Sequence, residues 1–326
     1  MNQTRRQAYL TLIESLLTWD IDEQTAILQA NLELLEDDFA RYLREWATQI
    51  RENLDADQAY NHACILYNLN LSFSSLQQGS RASNIEIAIA CLDIRLTIFT
   101  PEAYSEDWAI NQISLGNAYL YRIKGERGEN IERAIAFYEA ALQVYTRDAF
   151  PQYWAMTQNN LANAYSDRIK GERGENIEKA IAFYEAALQV YTRDAFPQDW
   201  AMTQNNLGEA YSDRIKGERG ENIERAIAFY EAALQVLTRD AFPQYWAMTQ
   251  NNLGEAYRNR IKGERGENIE KAIAFFEATL QVRTRDAFPQ DWAMSQNNLA
   301  KAYSDRIKGE RGENIERAIA FYEAAL

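Results

Sequence analysis

Residues 197–242 read PQDWAMTQNNLGEAYSDRIKGERGENIERAIAFYEAALQVLTRDAF, and this stretch decides the fold because the chain repeats it. The preceding stretch, residues 151–196, differs from it at five of 46 positions. The string GERGEN recurs every 46 residues, beginning at Gly125, Gly171, Gly217, Gly263 and Gly309. Self-similarity at one fixed period of this length is typical of solenoids and other repeat arrays.

Each copy reads as two helices, of which the first begins at a proline. In residues 151–196, Pro151 suits the first position of a helix, where its missing N–H costs no hydrogen bond. Apolar residues then recur at steps of three, four and seven, which is the spacing of one helix face. This apolar stripe consists of Trp154, Leu161, Ala164, Tyr165 and Ile169.

A glycine-containing turn separates the first helix from the second. Gly171 and Gly174 are expected to break the helix, and Asn176 is a candidate N-cap for the helix that follows. Neither helix can bury its apolar stripe alone, so we expect neighbouring copies to stack. The stripe of the second helix consists of Ala180, Ile181, Tyr184, Ala187, Leu188 and Tyr191.

The repeats occupy most of the chain. A degenerate early copy is recognised at Gly79, which keeps the 46-residue step, so we place six copies in residues 56–326. The last copy is truncated within its second helix. Residues 1–55 do not repeat and are predicted to form an N-terminal helical segment, with one helix around 5–19 and one or two across 23–50.

These residues resemble the tetratricopeptide repeat, whose unit of about 34 residues carries Leu-Gly-x2-Tyr in its first helix and Ala-x3-Phe in its second. The resemblance implies an all-α fold, a right-handed superhelical solenoid of antiparallel helix pairs. The longer 46-residue unit, with its Gln-Asn-Asn-Leu string, is similar to the kinesin-light-chain-like branch of the family. The matching residues of one copy are Leu207, Gly208, Tyr211, Ala226, Tyr230, Ala233 and Leu234, followed by Pro243.

The repeat string RIKGERGEN and the helical N-terminal region are also similar to cyanobacterial repeat proteins, which commonly carry a caspase-like CHAT peptidase domain after the array. This resemblance implies an alternative function, the sensor or regulatory arm of a peptidase lying beyond residue 326. A further alternative is a self-assembling structural repeat, in which the apolar face of the last copy recruits another array.

By resemblance to the family, the first helices are expected to line a concave groove that binds a protein or peptide. An asparagine amide both donates and accepts hydrogen bonds, so a row of asparagines can hold the backbone of an extended peptide. Duplication alone also repeats an asparagine, whether or not it has a use. The predicted partner-binding residues are the row Asn160, Asn206, Asn252 and Asn298 and, beside it, the variable residues Asn163, Glu209, Glu255 and Lys301.

The composition argues against other classes of partner and against export. The net charge is −14 and the pI about 4.8, so the surface repels nucleic-acid phosphates and anionic membranes. No apolar run is long enough to span a bilayer, which takes about 20 residues. The two cysteines, Cys64 and Cys91, do not make the framework of a disulfide-rich secreted protein, and this favours a cytoplasmic location.

The sequence contains no recognisable constellation for catalysis, and we expect a non-enzymatic scaffold. The single histidine, His62, lies two residues from Cys64 on a predicted helix, so the two side chains point to different faces. Clustered His or Cys ligands are missing from the sequence, which argues against a metal site, and no cofactor is implied. Tryptophans at the 46-residue step, such as Trp200, continue the apolar stripe and are interpreted as packing residues.

Overall fold

The structure is a computed structural model that describes residues 3–18 and 20–326. These described residues contain fifteen α-helices, one 3₁₀ helix at Leu32–Leu34 and no β-strand, which confirms the predicted all-α fold. The α-helices are α1 (Gln3–Leu16), α2 (Ile21–Ala30), α3 (Asp37–Arg51), α4 (Ala56–Ser75), α5 (Arg81–Leu96), α6 (Ser105–Leu120), α7 (Arg127–Ala141), α8 (Pro151–Asp167), α9 (Arg173–Ala187), α10 (Pro197–Asp213), α11 (Arg219–Ala233), α12 (Pro243–Arg258), α13 (Arg265–Leu280), α14 (Pro289–Asp305) and α15 (Arg311–Ala325).

The helices are arranged as successive pairs within two compact units, residues 1–170 and 171–326. In the first unit α4 pairs with α5 and α6 with α7, and α8 packs against α7. In the second unit α10 pairs with α11, α12 with α13 and α14 with α15, and α9 packs against α10. Because a short turn joins the two helices of each pair, they run antiparallel as a helical hairpin.

The N-terminal helices pack onto the first pair, with α2 against α4 and α3 against α5. Aromatic rings join them, since the centroids of Tyr9 and Phe39 lie 5.3 Å apart and those of Phe39 and Phe73 lie 6.5 Å apart. An ion pair adds to this contact, with Arg44 Nη2 at 2.7 Å from Asp93 Oδ2. The part of the chain predicted to hold one or two helices across residues 23–50 holds two, α2 and α3.

The turn inside each regular pair depends on a glycine and on a buried asparagine. Gly217 has a φ of +83°, a conformation that a Cβ would strain. Asn222 is 2% exposed, and its Nδ2 donates to the carbonyl oxygens of Lys216 at 2.9 Å and Arg214 at 3.3 Å. These bonds give a partner to backbone carbonyls of the turn that follows α10.

Three expectations about this turn were wrong. The second helix α9 begins at Arg173, so Asn176 lies inside the helix, 2% exposed, and is not its N-cap. Gly174 lies in the first turn of α9 and breaks no helix. Ile169, which was assigned to the apolar stripe, is 63% exposed, because α8 ends before it and helical periodicity no longer applies there.

The small residue of the Leu-Gly pair allows the two helices of a pair to approach closely. A Cβ at Gly208 would lie 2.7 Å from Cε1 of Tyr230, whose ring is 2% exposed and fills the space above the glycine. The position therefore has to stay small.

Arginine–glutamate pairs join each helix pair to the next one within a unit. Arg214 follows α10, and its Nε and Nη2 donate to the two carboxylate oxygens of Glu178 in α9 at 2.7 and 2.9 Å. This bidentate contact lowers the pKa of Glu178, because the hydrogen bonds and the positive charge favour the carboxylate. The same contact recurs at Arg122–Glu86, Arg168–Glu132, Arg260–Glu224 and Arg306–Glu270.

Candidate binding groove

The eight predicted partner-binding residues lie on the first helices α8, α10, α12 and α14. In the second unit α10 contacts α12 and α12 contacts α14, so their outward faces are continuous. None of the eight is part of the buried core. Those that are half-buried are Asn160, Asn163, Asn206, Asn252, Glu255 and Asn298, and those that are exposed are Glu209 and Lys301.

The asparagine row makes hydrogen bonds between neighbouring copies. Asn252 Nδ2 donates to Asn205 Oδ1 at 3.4 Å, and Asn298 Nδ2 donates to Asn251 Oδ1 at 3.1 Å. Each amide has two N–H donors and an acceptor oxygen, so one bond leaves part of its capacity for a partner. The row therefore holds the repeats together in addition to any role in binding.

In the first unit the row asparagine also bonds to the preceding copy, but its acceptor stands at a different position of that copy. Asn160 Nδ2 donates to Asn117 Oδ1 at 3.2 Å, and the same oxygen accepts a bond from the Tyr138 hydroxyl at 2.7 Å. Asn117 is the equivalent of Asn163, which belongs to the variable position. The row and the variable position are thus in direct contact in this unit as well.

The residues that accept the inter-repeat bonds in the second unit were not predicted from the sequence. Asn205 is 1% exposed and Asn251 is 7% exposed, and each is the first asparagine of the Gln-Asn-Asn-Leu string. Adjacent residues of an α-helix point about 100° apart, so the first asparagine of one copy accepts a bond from the following copy, while the second reaches back to the preceding copy. The repeated asparagine pair was the signal that could have revealed this contact.

The variable position touches the asparagine row in the second unit. Lys301 Nζ donates to Asn298 Oδ1 at 3.4 Å. Glu255 accepts a hydrogen bond from Arg258 Nη2 at 2.7 Å and another from Asn259 Nδ2 at 3.3 Å. Burial raises the pKa of Glu255, but the hydrogen bond and charge of Arg258 outweigh it and hold the pKa below its ordinary value. Glu255 is therefore an anion at neutral pH.

A small ionic cluster distinguishes α12 from the other first helices. Arg258 Nη1 lies 3.2 Å from Asp305 Oδ2, and Arg265 Nη2 lies 3.4 Å from the same oxygen. Arg258 stands where neighbouring copies have Ser212 and Ser304. A single exchange between near-identical copies thus changes the local charge of this surface.

The histidine and the cysteine near the start of the array have no feature of a catalytic pair. His62 and Cys64 are half-buried on α4, and burial lowers the pKa of His62 and raises that of Cys64. A raised thiol pKa disfavours the thiolate that nucleophilic catalysis needs. Residues 3–18 and 20–326 contain no group of three His, Cys, Asp or Glu side chains arranged to hold a metal ion. In the same residues, no helix is both long and apolar enough to cross a membrane.

Comparison with known families agrees with this architecture. The tetratricopeptide repeat model matches residues 154–194, 200–240 and 292–326. These matches identify tetratricopeptide-type repeats within the chain. The Sel1 repeat model matches residues 112–143 and 247–278. Both kinds of repeat indicate a protein-interaction scaffold in general, and such scaffolds are typically non-catalytic. The link to CHAT peptidases, the cytoplasmic location and self-association stay predictions.

One solved structure similar to this chain is the crystal structure of BtubC (BKLC) from P. vanneervenii. The two chains are 18% identical, and the match covers 90% of this chain and 89% of that chain with a TM-score of 0.43. A search of curated proteins found no match to this chain.

Proposed function

We propose that this scaffold binds an extended protein or peptide segment along the groove lined by its first helices. The proposal is carried by one observation, the place at which near-identical copies differ in charge. Glu209, Glu255 and Lys301 occupy equivalent positions, are not core residues, and lie beside the asparagine row. Variation in charge at a surface position beside a repeated row is the pattern expected of residues that select a partner.

The asparagine row and the variable residues have different roles in the proposed binding. The asparagine row can hold the backbone of a segment because a side-chain amide both donates and accepts hydrogen bonds. The variable residues select its side chains, because a segment that crosses α10, α12 and α14 meets Glu209, Glu255 and then Lys301. Complementary charges favour a segment that is basic where it lies on α10 and α12 and acidic where it lies on α14.

The test is a selection of random peptides on the full chain, followed by calorimetry with an enriched peptide. Asn206→Ala combined with Asn252→Ala should weaken binding by about two- to tenfold for each hydrogen bond lost. Glu209→Lys combined with Lys301→Glu should reverse the charge order of the enriched peptides. Gln143→Ala, which removes an exposed amide outside the first helices, is the matched control and should leave the dissociation constant unchanged.

Two results would contradict this proposal. One is an unchanged dissociation constant for the asparagine double variant, and the other is the same enriched peptides after the charge exchange. Thermal unfolding of each variant is measured in parallel, since a loss of fold would also reduce binding. Leu207→Ala serves as the reference for a destabilised fold. Leu207 is 1% exposed, and truncation of a buried leucine lowers the free energy of unfolding by roughly 2–5 kcal/mol.

A further inference from the structure

The first unit contains an apolar cavity of about 240 Å³, and Asn117, which accepts the hydrogen bond of Asn160, lies on its wall. It lies between α4, α5 and α6, and Met156 of α8 contributes to its wall. Cavities of about 150 Å³ with apolar walls are known to hold a benzene ring, so this one can hold a ring with a short tail. Apolar side chains that form its walls are Tyr67, Leu71, Ile85, Ile110, Ile113 and Tyr121.

Two residues that line the cavity are apolar where later copies are polar. Leu71 stands at the position of Glu209, and Tyr121 stands at the position of Asp213. Both are exposed to solvent, Leu71 by 41% and Tyr121 by 63%. Side chains of this size that face solvent beside a cavity leave apolar surface that a ligand would remove from water.

One wall of the cavity is held in place by a buried arginine. The guanidinium carbon of Arg95 lies 4.5 Å from the ring centroid of Tyr67, and Arg95 is 2% exposed. Arg95 Nη1 in turn donates to Asn111 Oδ1 at 3.0 Å. Tyr67 is therefore fixed before any ligand arrives, which reduces the entropy that binding would cost.

The cavity also has a cation without a carboxylate partner. Arg81 is the one charged side chain among the described residues that line it. In the next copy the equivalent Arg127 pairs with Asp167 at 2.8 Å, but Tyr121 occupies the aspartate position opposite Arg81. Within residues 3–18 and 20–326, Arg81 has no ion pair and donates only to the carbonyl oxygen of Ser74.

We propose that this cavity is a binding site for an apolar group that carries a carboxylate. The apolar group fills the space against Tyr67 and Ile113, and the carboxylate takes the place beside Arg81 that an aspartate occupies in the neighbouring copy. The ligand is either a small free acid with an aromatic or branched aliphatic body, or a bulky apolar residue next to Asp or Glu in a partner segment. This site lies outside α10, α12 and α14, the helices that the proposed peptide segment crosses.

The experiment uses the full chain and two pairs of probes. The first pair is 3-phenylpropionate and its neutral amide, and the second pair is an amidated Gly-Ser peptide with a central Phe-Asp or Phe-Asn. Binding is measured by calorimetry and by saturation-transfer NMR at millimolar concentrations. We expect at least one carboxylate probe to bind more tightly than its neutral twin, by about fivefold, because one exposed ion pair contributes up to about 1 kcal/mol. The pair that binds identifies the source of the ligand.

Substitutions locate the binding. Arg81→Gln should remove the advantage of the carboxylate probe, and Ser114→Phe, which fills the cavity, should abolish binding of both members of the pair. Arg219→Gln is the matched control, because Arg219 donates in the same way to the carbonyl of Ser212 but lines no part of this cavity. If Ser114→Phe loses its far-UV helical signal, Ala118→Leu fills the same cavity with a smaller change.

Three outcomes would overturn the proposal. They are no binding of any probe, equal binding of charged and neutral probes, and carboxylate binding that Arg81→Gln leaves unchanged. The asparagine double variant Asn206→Ala with Asn252→Ala should leave probe binding unchanged. Failure of the peptide groove and failure of this cavity site therefore give different results.

Discussion

Replacing Asn205 and Asn252 by alanine, singly and together, measures how much the asparagine row contributes to stability. The Asn252 Nδ2 to Asn205 Oδ1 bond is 3.4 Å long, and Asn205 is 1% exposed. A neutral hydrogen bond contributes about 0.5–1.5 kcal/mol net. Asn205 also donates to Asn206 Oδ1 at 3.4 Å, so Asn205→Ala removes two bonds. We expect a loss of about 1 kcal/mol for Asn252→Ala and about 1–2 kcal/mol for Asn205→Ala.

The double variant tests whether the two side chains interact. We expect a coupling free energy of about 0.5–1 kcal/mol from urea denaturation of the full chain followed by circular dichroism. The control pair is Asn205→Ala with Asn298→Ala, whose effects should add because Asn298 bonds to Asn251 instead. Zero coupling between Asn205 and Asn252 would refute the inter-repeat bond. A coupling above about 3 kcal/mol would show that the row serves stability alone, and it would remove the basis of the proposed groove.

Two further predictions concern the turn and the inter-repeat ion pairs. Gly217→Ala should destabilise the chain by about 1–2 kcal/mol because its φ is +83°, whereas Gly266→Ala should stabilise it by up to about 1 kcal/mol, since Gly266 lies in α13 with nothing within 4 Å of an added Cβ. The urea concentration at the midpoint of unfolding should fall for Gly217→Ala and rise for Gly266→Ala, and equal shifts of the two midpoints would contradict the reasoning. The hydrogen bonds from Arg214 hold the pKa of Glu178 below its ordinary value of 4.5, so the pair contributes stability that is lost as the pH falls below 4.5. Glu178→Gln should be less stable than the parent at neutral pH and lose this difference in acid, and a difference that persists in acid would count against the ion pair.

The sequence predicted the helices well because their signals are local. The apolar spacing of Leu161 and Tyr165 and the proline at Pro151 identify α8, and Pro151 does stand at the start of that helix. The family signature in Leu207 and Gly208 is also local, and the small residue is explained by the approach of Tyr230. The same signals recur every 46 residues, so each copy supports the helix assignment of the others.

Details of the turn could not be predicted because they depend on where the first helix ends. Ile169 falls two residues after α8, and the periodicity that assigned it to the core had already stopped. Asn176 looked like an N-cap by residue type, but the positive φ of Gly171 lets the second helix begin earlier. The asparagine then lies within α9, and at the equivalent Asn222 the side chain bonds the carbonyls of the preceding turn.

The sequence by itself determined the all-α class, the helix pairs, the family and the surface position where copies differ, because each follows from residues a few positions apart. Only the tertiary structure decided which partner each polar group meets. Asn252 reaches Asn205 of the preceding copy, and Tyr121 leaves Arg81 without a carboxylate beside an apolar cavity. These contacts depend on distances between residues about 40 positions apart or more, which stacking of the helix pairs sets and local periodicity does not encode.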